Sequence, residues 1–219
     1  MTDVVARTVG IAAQAEEPTT RALLTAEPAD VANSFGKRAV DIAGALFALL
    51  LFLPLLLCIA MAVRLESGGP VIFKQRRTGH CGRIFTIYKF RTMTVAEDCG
   101  NVRQATRDDA RVTAIGSVLR KLSLDELPQL LNIIRGEMSI VGPRPVVEDE
   151  LELYDSAAEF YLRSRPGLTG LWQISGRNDV SYATRVAFDT HYVQNWSLLA
   201  DLVIVFKTIP AVCLSRGSY

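Results

Sequence analysis

Metal-type cysteine spacing and a strong net charge are both missing from this 219-residue chain, and each absence removes a class of function. The four cysteines, Cys58, Cys81, Cys99 and Cys213, are scattered, no two at zinc-site spacing, and Cys58 lies inside an apolar run. They read as reduced thiols in a cytosolic setting, neither disulfide partners nor zinc ligands. Basic and acidic side chains number 24 and 23, so the formal charge is +1. That balance indicates no strongly polyanionic partner, and nucleic acid is not expected. Histidine is reduced to His80, in a loop, and His191, which has no suitable partner in sequence; neither is given a chemical role. No internal repeat is visible.

Residues 1–36 lack an apolar core pattern and carry five acidic side chains against two basic ones. They read as a flexible tail, and without a basic start or a continuous apolar centre they do not read as a secretory signal. Charge is then absent altogether from Ile42 to Val63, 22 positions that as a straight helix reach ~33 Å, enough for a hydrocarbon core of about 30 Å. Pro54 interrupts the segment, removing one internal hydrogen bond and leaving arms of 12 and 9 residues, each too short to span. Lys37 and Arg38 precede it; Arg64, Lys74, Arg76, Arg77 and Arg83 follow, and basic flanks favour the cytoplasmic side at both ends. A re-entrant helix broken at Pro54 satisfies both demands, and a kinked single span is the alternative.

Past the break at Gly68, Gly69 and Pro70, Val71–Arg76 and Ile84–Arg91 read as two strands joined by a loop over Thr78–Gly82. Period two puts Phe85, Ile87, Lys89 and Arg91 on one face, so Lys89 and Arg91 are placed to point together at an anion, although a solvated edge-strand lysine explains as much.

The stretch from Arg120 to Pro145 holds the chemistry. Asp125 and Glu126 lie between Arg120 and an arginine, Arg144, set between Pro143 and Pro145. Ser123 with Glu126 fits a capping box, which by itself makes the acidic pair a helix start. Leu127, Leu130, Leu131 and Ile134 follow helical spacing, and Gly136 is a natural stop. Capping and catalysis are compatible, since a helix start also attracts phosphate. The flanking prolines stiffen the backbone that presents Arg144, which suits bidentate phosphate binding.

Downstream, Glu148–Arg163 reads as a helix, 165–178 as a glycine-punctuated loop region and Tyr182–Trp196 as a further helix. Trp172 offers a face for a base, though a core position is the plainer reading. Leu198–Leu214 is apolar but interrupted by Asp201, Lys207 and Pro210, and is expected to lie on a membrane surface.

Four ordered motifs carry a resemblance: Lys-Phe-Arg-Thr-Met at 89–93, Ser-Leu-Asp-Glu-Leu-Pro-Gln-Leu at 123–130, Gly-Pro-Arg-Pro at 142–145, and Arg-Pro-Gly-Leu-Thr-Gly-Leu-Trp-Gln-Ile-Ser-Gly-Arg-Asn at 165–178. From about Lys37 to its end the chain is similar to the bacterial sugar transferases, which are monotopic phosphoglycosyl transferases. It most resembles exopolysaccharide-initiating members that load a hexose phosphate onto undecaprenyl phosphate.

The resemblance implies that Asp125 is the nucleophile, attacking the β-phosphate of a UDP-sugar, expelling UMP and carrying the sugar phosphate until the lipid phosphate collects it. It implies Mg2+ as metal, with Asp125 and Glu126 as the nearest carboxylates, a mode that suits a cation whose shell substrate phosphates complete. Lys89, Arg120 and Arg144 are implied phosphate contacts, Arg177 a nucleotide-side contact, and galactose or glucose the sugar. The inner face of the bacterial cytoplasmic membrane is the implied location, with downstream glycosyltransferases as possible partners. One departure is Leu53 before Pro54, where the family often has serine. The expected fold is α+β: a flexible tail (1–36), a re-entrant membrane helix (37–66) and a mostly helical cytosolic domain (67–219) with a small β-hairpin and a membrane-surface C-terminal helix. A membrane phosphohydrolase and a non-catalytic membrane scaffold are the competing functions.

Overall fold

A computed structural model describes residues 31–94, 109–175 and 181–213. Helix α1 (Phe35–Glu66) begins where Ser34 accepts a bond from the Lys37 amide, and its helical backbone continues through Pro54. Its first turns bury Lys37, Asp41 and Ala45 at four-residue spacing, and its last turns bury Ile59 and Val63. Between these two contacts Phe47, Leu50, Leu51, Leu53 and Leu57 stand exposed. By length and composition α1 is able to cross a membrane.

Polar bonds fix the first contact. Lys37 Nζ donates to Asp201 Oδ2 at 2.7 Å, the Val141 carbonyl at 2.9 Å and the Tyr192 hydroxyl at 3.2 Å. One turn on, Asp41 accepts from Ser139 Oγ and the Ile140 amide. Apolar packing fixes the second contact, where Ile59 and Val63 meet Phe90 and Leu119.

Strands β1 (Ile72–Thr78) and β2 (Ile84–Phe90) form an antiparallel hairpin in the register Ile72 to Phe90 and Thr78 to Ile84. The expected boundaries hold to within two residues. Helix α2 (Ala114–Lys121) is capped by Thr113, and Glu66 at the end of α1 accepts from the Ile115 amide at 2.9 Å, so the two helices are joined end to side.

The acidic segment departs from the expected helix. Ser123 sits in the left-handed region at φ 54° and makes no side-chain cap, and Leu124–Gln129 form a 3-10 turn before the short helix α3 (Leu130–Arg135). Sequence spacing explains the change. Leu124, Leu127 and Leu130 recur every third residue, the period of a 3-10 helix, and all three pack inward. The register of α3 shifts accordingly: Asn132 and Ile133 are buried and Leu131 is exposed, contrary to the expected Leu131 face. Gly136 ends α3 at φ 85°, as expected.

Strand β3 (Ser139–Val141) pairs in parallel with β4 (Gly167–Thr169), a second small sheet that the expected glycine-rich loop conceals. Between them the single helix expected over 148–163 is broken: α4 (Glu148–Glu152), a 3-10 turn (Asp155–Ala157) and α5 (Ala158–Leu162), with Asp155 at φ 46°. Helices α6 (Leu171–Ile174), α7 (Tyr182–Gln194) and α8 (Leu198–Cys213) complete the described chain. Helix α8 buries Asp201 and Ile204 and exposes Leu199, Phe206 and Ile209. Among the described residues the fold is mostly helical, with two small two-stranded sheets and one long apolar helix near the N-terminus.

Candidate active site

Three segments meet at one cleft: β2, the 3-10 turn, and the loop after β3. The three-residue period that turns Leu124, Leu127 and Leu130 towards the core leaves Glu126 and Gln129 on another row, and both line the cleft. Asp125 lies beside Glu126 and is only 9% exposed. From β2, Lys89 Nζ donates to Glu126 Oε1 at 2.6 Å. Asn132 sets this alignment. Fully buried, it donates to the Thr86 carbonyl at 2.7 Å and accepts from the Tyr88 amide, stapling α3 to β2.

The loop Gly142–Pro145 supplies the far wall. A Cβ at Gly142 would collide with the Arg165 carbonyl, so only glycine permits the close pass of the two parallel strands. Gly142 N donates to Thr169 O at 3.0 Å and Gly167 N to Pro143 O at 2.7 Å, which pins both sides of the turn. The next residues are held by Tyr161, whose hydroxyl donates to Thr78 O at 2.6 Å and accepts from the Val146 amide. Thr78 and Val146 also form an antiparallel bridge, so the loop is tied to the end of β1.

The resulting cleft has a volume of about 50 Å³ and is lined by Arg77, Lys89, Glu126, Gln129, Arg144 and Gln173 among others. Arg144 is half-buried, its guanidinium 5.6 Å from the centre of the buried Trp172 ring, and Arg185 lies 4.8 Å from the same ring. Trp172 therefore serves as a core platform for two arginines.

Burial dominates the electrostatics. It pushes the Asp125 carboxyl up to about 6, aided by the charge of Glu126 and opposed by Lys89 and Arg120. At pH 7 such a group is ionised roughly ten to one. Arg77 is brought down to about 10, first by burial and then by the like charge of Arg144. Asp189 is pushed up to about 7 by burial, against a 2.8 Å bond from Tyr154 and one from the Arg144 backbone amide. That last bond makes Asp189 a further anchor of the Arg144 loop.

Of the residues expected at the site, Lys89, Glu126 and Arg144 line the cleft, while Asp125 adjoins Glu126 and feels the charges of Lys89 and Arg120. Arg91 does not join them. The β2 ladder stops at Phe90, and the Arg91 guanidinium instead donates to the carbonyl and hydroxyl oxygens of Ser67, at 2.6 and 2.9 Å, buckling the strand to the end of α1. Arg177 lies outside the described residues. Pro54 is exposed in the apolar middle of α1, between Leu49, which packs against the first contact's side, and Leu56, which packs against the second. Sequence reasoning missed Arg77, Asn132, Tyr161 and Asp189. Asn132 left a signal, as the lone amide in the run Leu-Leu-Asn-Ile-Ile.

Asp125 and Glu126 fit a hard divalent cation held mainly by substrate oxygens: two carboxylates adjacent in sequence, one raised by burial and further by the other's charge, gain from a nearby positive charge. No cluster of three or more His, Cys, Asp or Glu suited to a metal occurs among the described residues.

Comparison with known proteins matches residues 32–215 to the family described as bacterial sugar transferase. The exopolysaccharide production protein ExoY of Sinorhizobium fredii is 67% identical over 202 residues, covering 85% of this chain and 89% of that protein. The UDP-glucose:undecaprenyl-phosphate glucose-1-phosphate transferase of Caulobacter vibrioides is 44% identical over 209 residues, 90% of this chain and 78% of that one. The undecaprenyl-phosphate galactose phosphotransferase of Salmonella typhimurium is 44% identical over 202 residues, 85% of this chain but 42% of its own length. With an arginine-walled carboxylate pair at its centre and these relatives over nearly its whole described length, the chain belongs to the bacterial sugar transferase family.

Proposed function

We propose that the protein transfers a sugar 1-phosphate from a UDP-sugar, galactose or glucose, to undecaprenyl phosphate, giving lipid-linked sugar diphosphate and UMP and so initiating exopolysaccharide synthesis. The observation that carries this reading is a cleft lined by Lys89, Glu126 and Arg144, with the buried Asp125 next to Glu126 and under the charges of Lys89 and Arg120. In the first half-reaction an Asp125 oxygen bonds to the β-phosphorus, the bond from that phosphorus to the bridging oxygen breaks, and UMP leaves with the electron pair. In the second, an oxygen of the lipid phosphate bonds to the same phosphorus and the bond to Asp125 breaks, restoring the carboxylate. Lys89, Arg120 and Arg144 offset phosphate charge in both steps. Mg2+, held by Asp125 and Glu126, would reduce the repulsion between carboxylate and phosphate.

The anchor is a re-entrant helix at the inner face of the cytoplasmic membrane. Both ends of α1 grip the same folded unit, through Lys37 and Asp41 at one end and Ile59 and Val63 at the other, while its apolar middle around Pro54 is exposed. A helix with both ends on one domain keeps both ends on one side of the bilayer, which supports re-entry over crossing. The outward apolar row of α8 supports contact with the same surface. At that depth soluble nucleotide sugar and lipid phosphate both reach Asp125, and the lipid-linked product passes to downstream glycosyltransferases.

Detergent-solubilised protein mixed with a panel of UDP-hexoses, Mg2+ and polyprenyl phosphate tests the reaction. UMP release with lipid-linked product, and a phosphosugar adduct on Asp125 by mass spectrometry, are expected. Free sugar phosphate in place of lipid product would make the protein a hydrolase, and no turnover a scaffold.

A further inference from the structure

Arg77 is the charged cleft residue that the reaction above leaves without a task. It is next to last in β1, and its side chain is only 10% exposed. One long ion pair, with Glu150, answers its charge, and its other bonds go to neutral acceptors. Nη2 donates to Gln75 Oε1 at 2.6 Å and Nη1 to the Pro145 carbonyl at 3.2 Å, both neutral acceptors. The carboxylate of Glu150 is 3.4 Å away, and it also accepts from the Val147 amide. Nε, fully buried, has no acceptor. Gln173, on the same cleft, has a buried side-chain oxygen without a partner, and a half-turn of that amide presents its NH2 group instead.

Two guanidiniums of like sign, Arg77 and Arg144, thus face one small cleft, close enough that each charge opposes the other. Placing two cations together in a site of low dielectric is costly unless an anion lies between them. A planar fork with a spare N–H suits the paired oxygens of a phosphate. The cleft, at about 50 Å³, admits a group of that size.

We infer that Arg77, working with Arg144, seats a second phosphate, the terminal monoester dianion that Asp125 does not attack. As a substrate assignment this rests on the transferase reading, since UMP at the donor end and polyprenyl phosphate at the acceptor end are both such monoesters. Lys89 and Glu126 lie on the same cleft, so the seat lies beside the residue next in sequence to the reacting Asp125. Arg77 also ties the seat to Pro145, so filling it bears on the loop that presents Arg144.

The test uses the full chain in detergent and reads the thermal shift and dissociation constant for inorganic phosphate, UMP and a short-chain polyprenyl phosphate in wild type, Arg77→Lys and Arg77→Gln. Loss of the bonds to Pro145 and Gln75 lowers the baseline melting temperature of either variant, but a merely structural role leaves the ligand-induced shift intact. Loss of one charged fork is expected to weaken binding roughly 10- to 100-fold in Arg77→Gln, with Arg77→Lys in between. A loss confined to UMP assigns the seat to the donor, and one confined to the lipid phosphate assigns it to the acceptor. If Arg77→Gln keeps the full shift with all three probes, or wild type shows none, the seat does not exist. Separately, an Arg77-dependent phosphate shift in a protein that turns over no UDP-hexose would keep the anion seat and overturn the transferase reading.

Discussion

Replacing Asp125 by asparagine removes the proposed nucleophile while keeping its shape, and the burial of that carboxyl makes the stability effect as informative as the loss of activity. Burial raises the group from 3.8 to about 6, so the folded protein holds the proton more tightly than the unfolded chain does. The stabilising contribution of the neutral carboxyl is complete below pH 4 and is lost as pH rises through about 6. A displacement of about two units at 1.36 kcal/mol each amounts to about 3 kcal/mol at pH 8. Asparagine carries no charge and escapes that loss. At roughly 2–4 °C per kcal/mol for a domain of this size, Asp125→Asn should melt several degrees above wild type at pH 8 and level with it near pH 4. Thermal unfolding of the two proteins in the same detergent at pH 4, 6 and 8, paired with UMP release, makes the measurement. Turnover of wild type should fall as pH drops below about 6, because the attacking group must be ionised. A variant that is inactive but less stable than wild type at pH 8 would refute the electrostatic account, and one that still releases UMP would refute the nucleophile.

Lys37→Met leaves the Asp201 carboxylate buried without its cation at the join between α1 and α8, and should cost roughly 3–5 kcal/mol in chemical denaturation; a loss below about 1 kcal/mol would show that the network is dispensable. Tyr161→Phe deletes the hydroxyl that bridges Thr78 and Val146, with an expected loss of about 1–3 kcal/mol and lower turnover as the Arg144 loop loosens; wild-type turnover would free the loop from that tie. Gly142→Ala forces a Cβ against the Arg165 carbonyl and should separate β3 from β4, read as lost amide protection at Gly142 and Gly167 in hydrogen exchange; unchanged protection would contradict the close approach. A single cysteine at position 20, in a chain otherwise free of cysteine, should resist membrane-impermeant reagent in intact cells, and labelling from outside would replace the re-entrant helix by a crossing one.

Short motifs that place their own chemistry were legible. Asp125 and Glu126 are adjacent, and prolines stiffen the backbone on either side of Arg144, so neither needs tertiary information to be noticed. What stayed hidden depends on where an element ends or what crosses it. Period two correctly set Phe85, Ile87 and Lys89 on one face, but it cannot show that the ladder stops at Phe90 and leaves Arg91 to turn towards Ser67. The leucine spacing at 124, 127 and 130 holds a 3-10 signal, yet Leu127, Leu130, Leu131 and Ile134 also satisfy an α-helical stripe, and the second pattern concealed the first. The β3–β4 pair is three residues a side and joins segments 28 positions apart, too short for alternation to register. Arg77 went unnoticed as a site residue because a strand arginine in a basic run looks like surface; only the fold brings it against the Gly142–Pro145 loop.

The raised Asp125 and the lowered Arg77 have a common origin. In each case burial comes first, and a neighbour of like charge, Glu126 for the acid and Arg144 for the arginine, adds to it. Such pairs do not stabilise a fold, so other interactions must hold them: Asn132 across to β2, Tyr161 and Asp189 behind the arginine loop, and Lys37 where α1 meets Val141 just before that loop. A nucleoside diphosphate sugar with a divalent cation carries the complementary alternation of charge, cation against the carboxylates and phosphates against the guanidiniums, and so relieves both pairs at once. Binding should therefore stabilise wild type more than its hydrogen bonds alone would give. Asp125→Asn, already freed of one repulsion, should gain less from substrate with the cation than wild type does, while keeping its gain from phosphate alone. An equal gain for both proteins would mean that the two like-charge pairs act independently of the ligand, and that the strain in the cleft serves no step of the transfer.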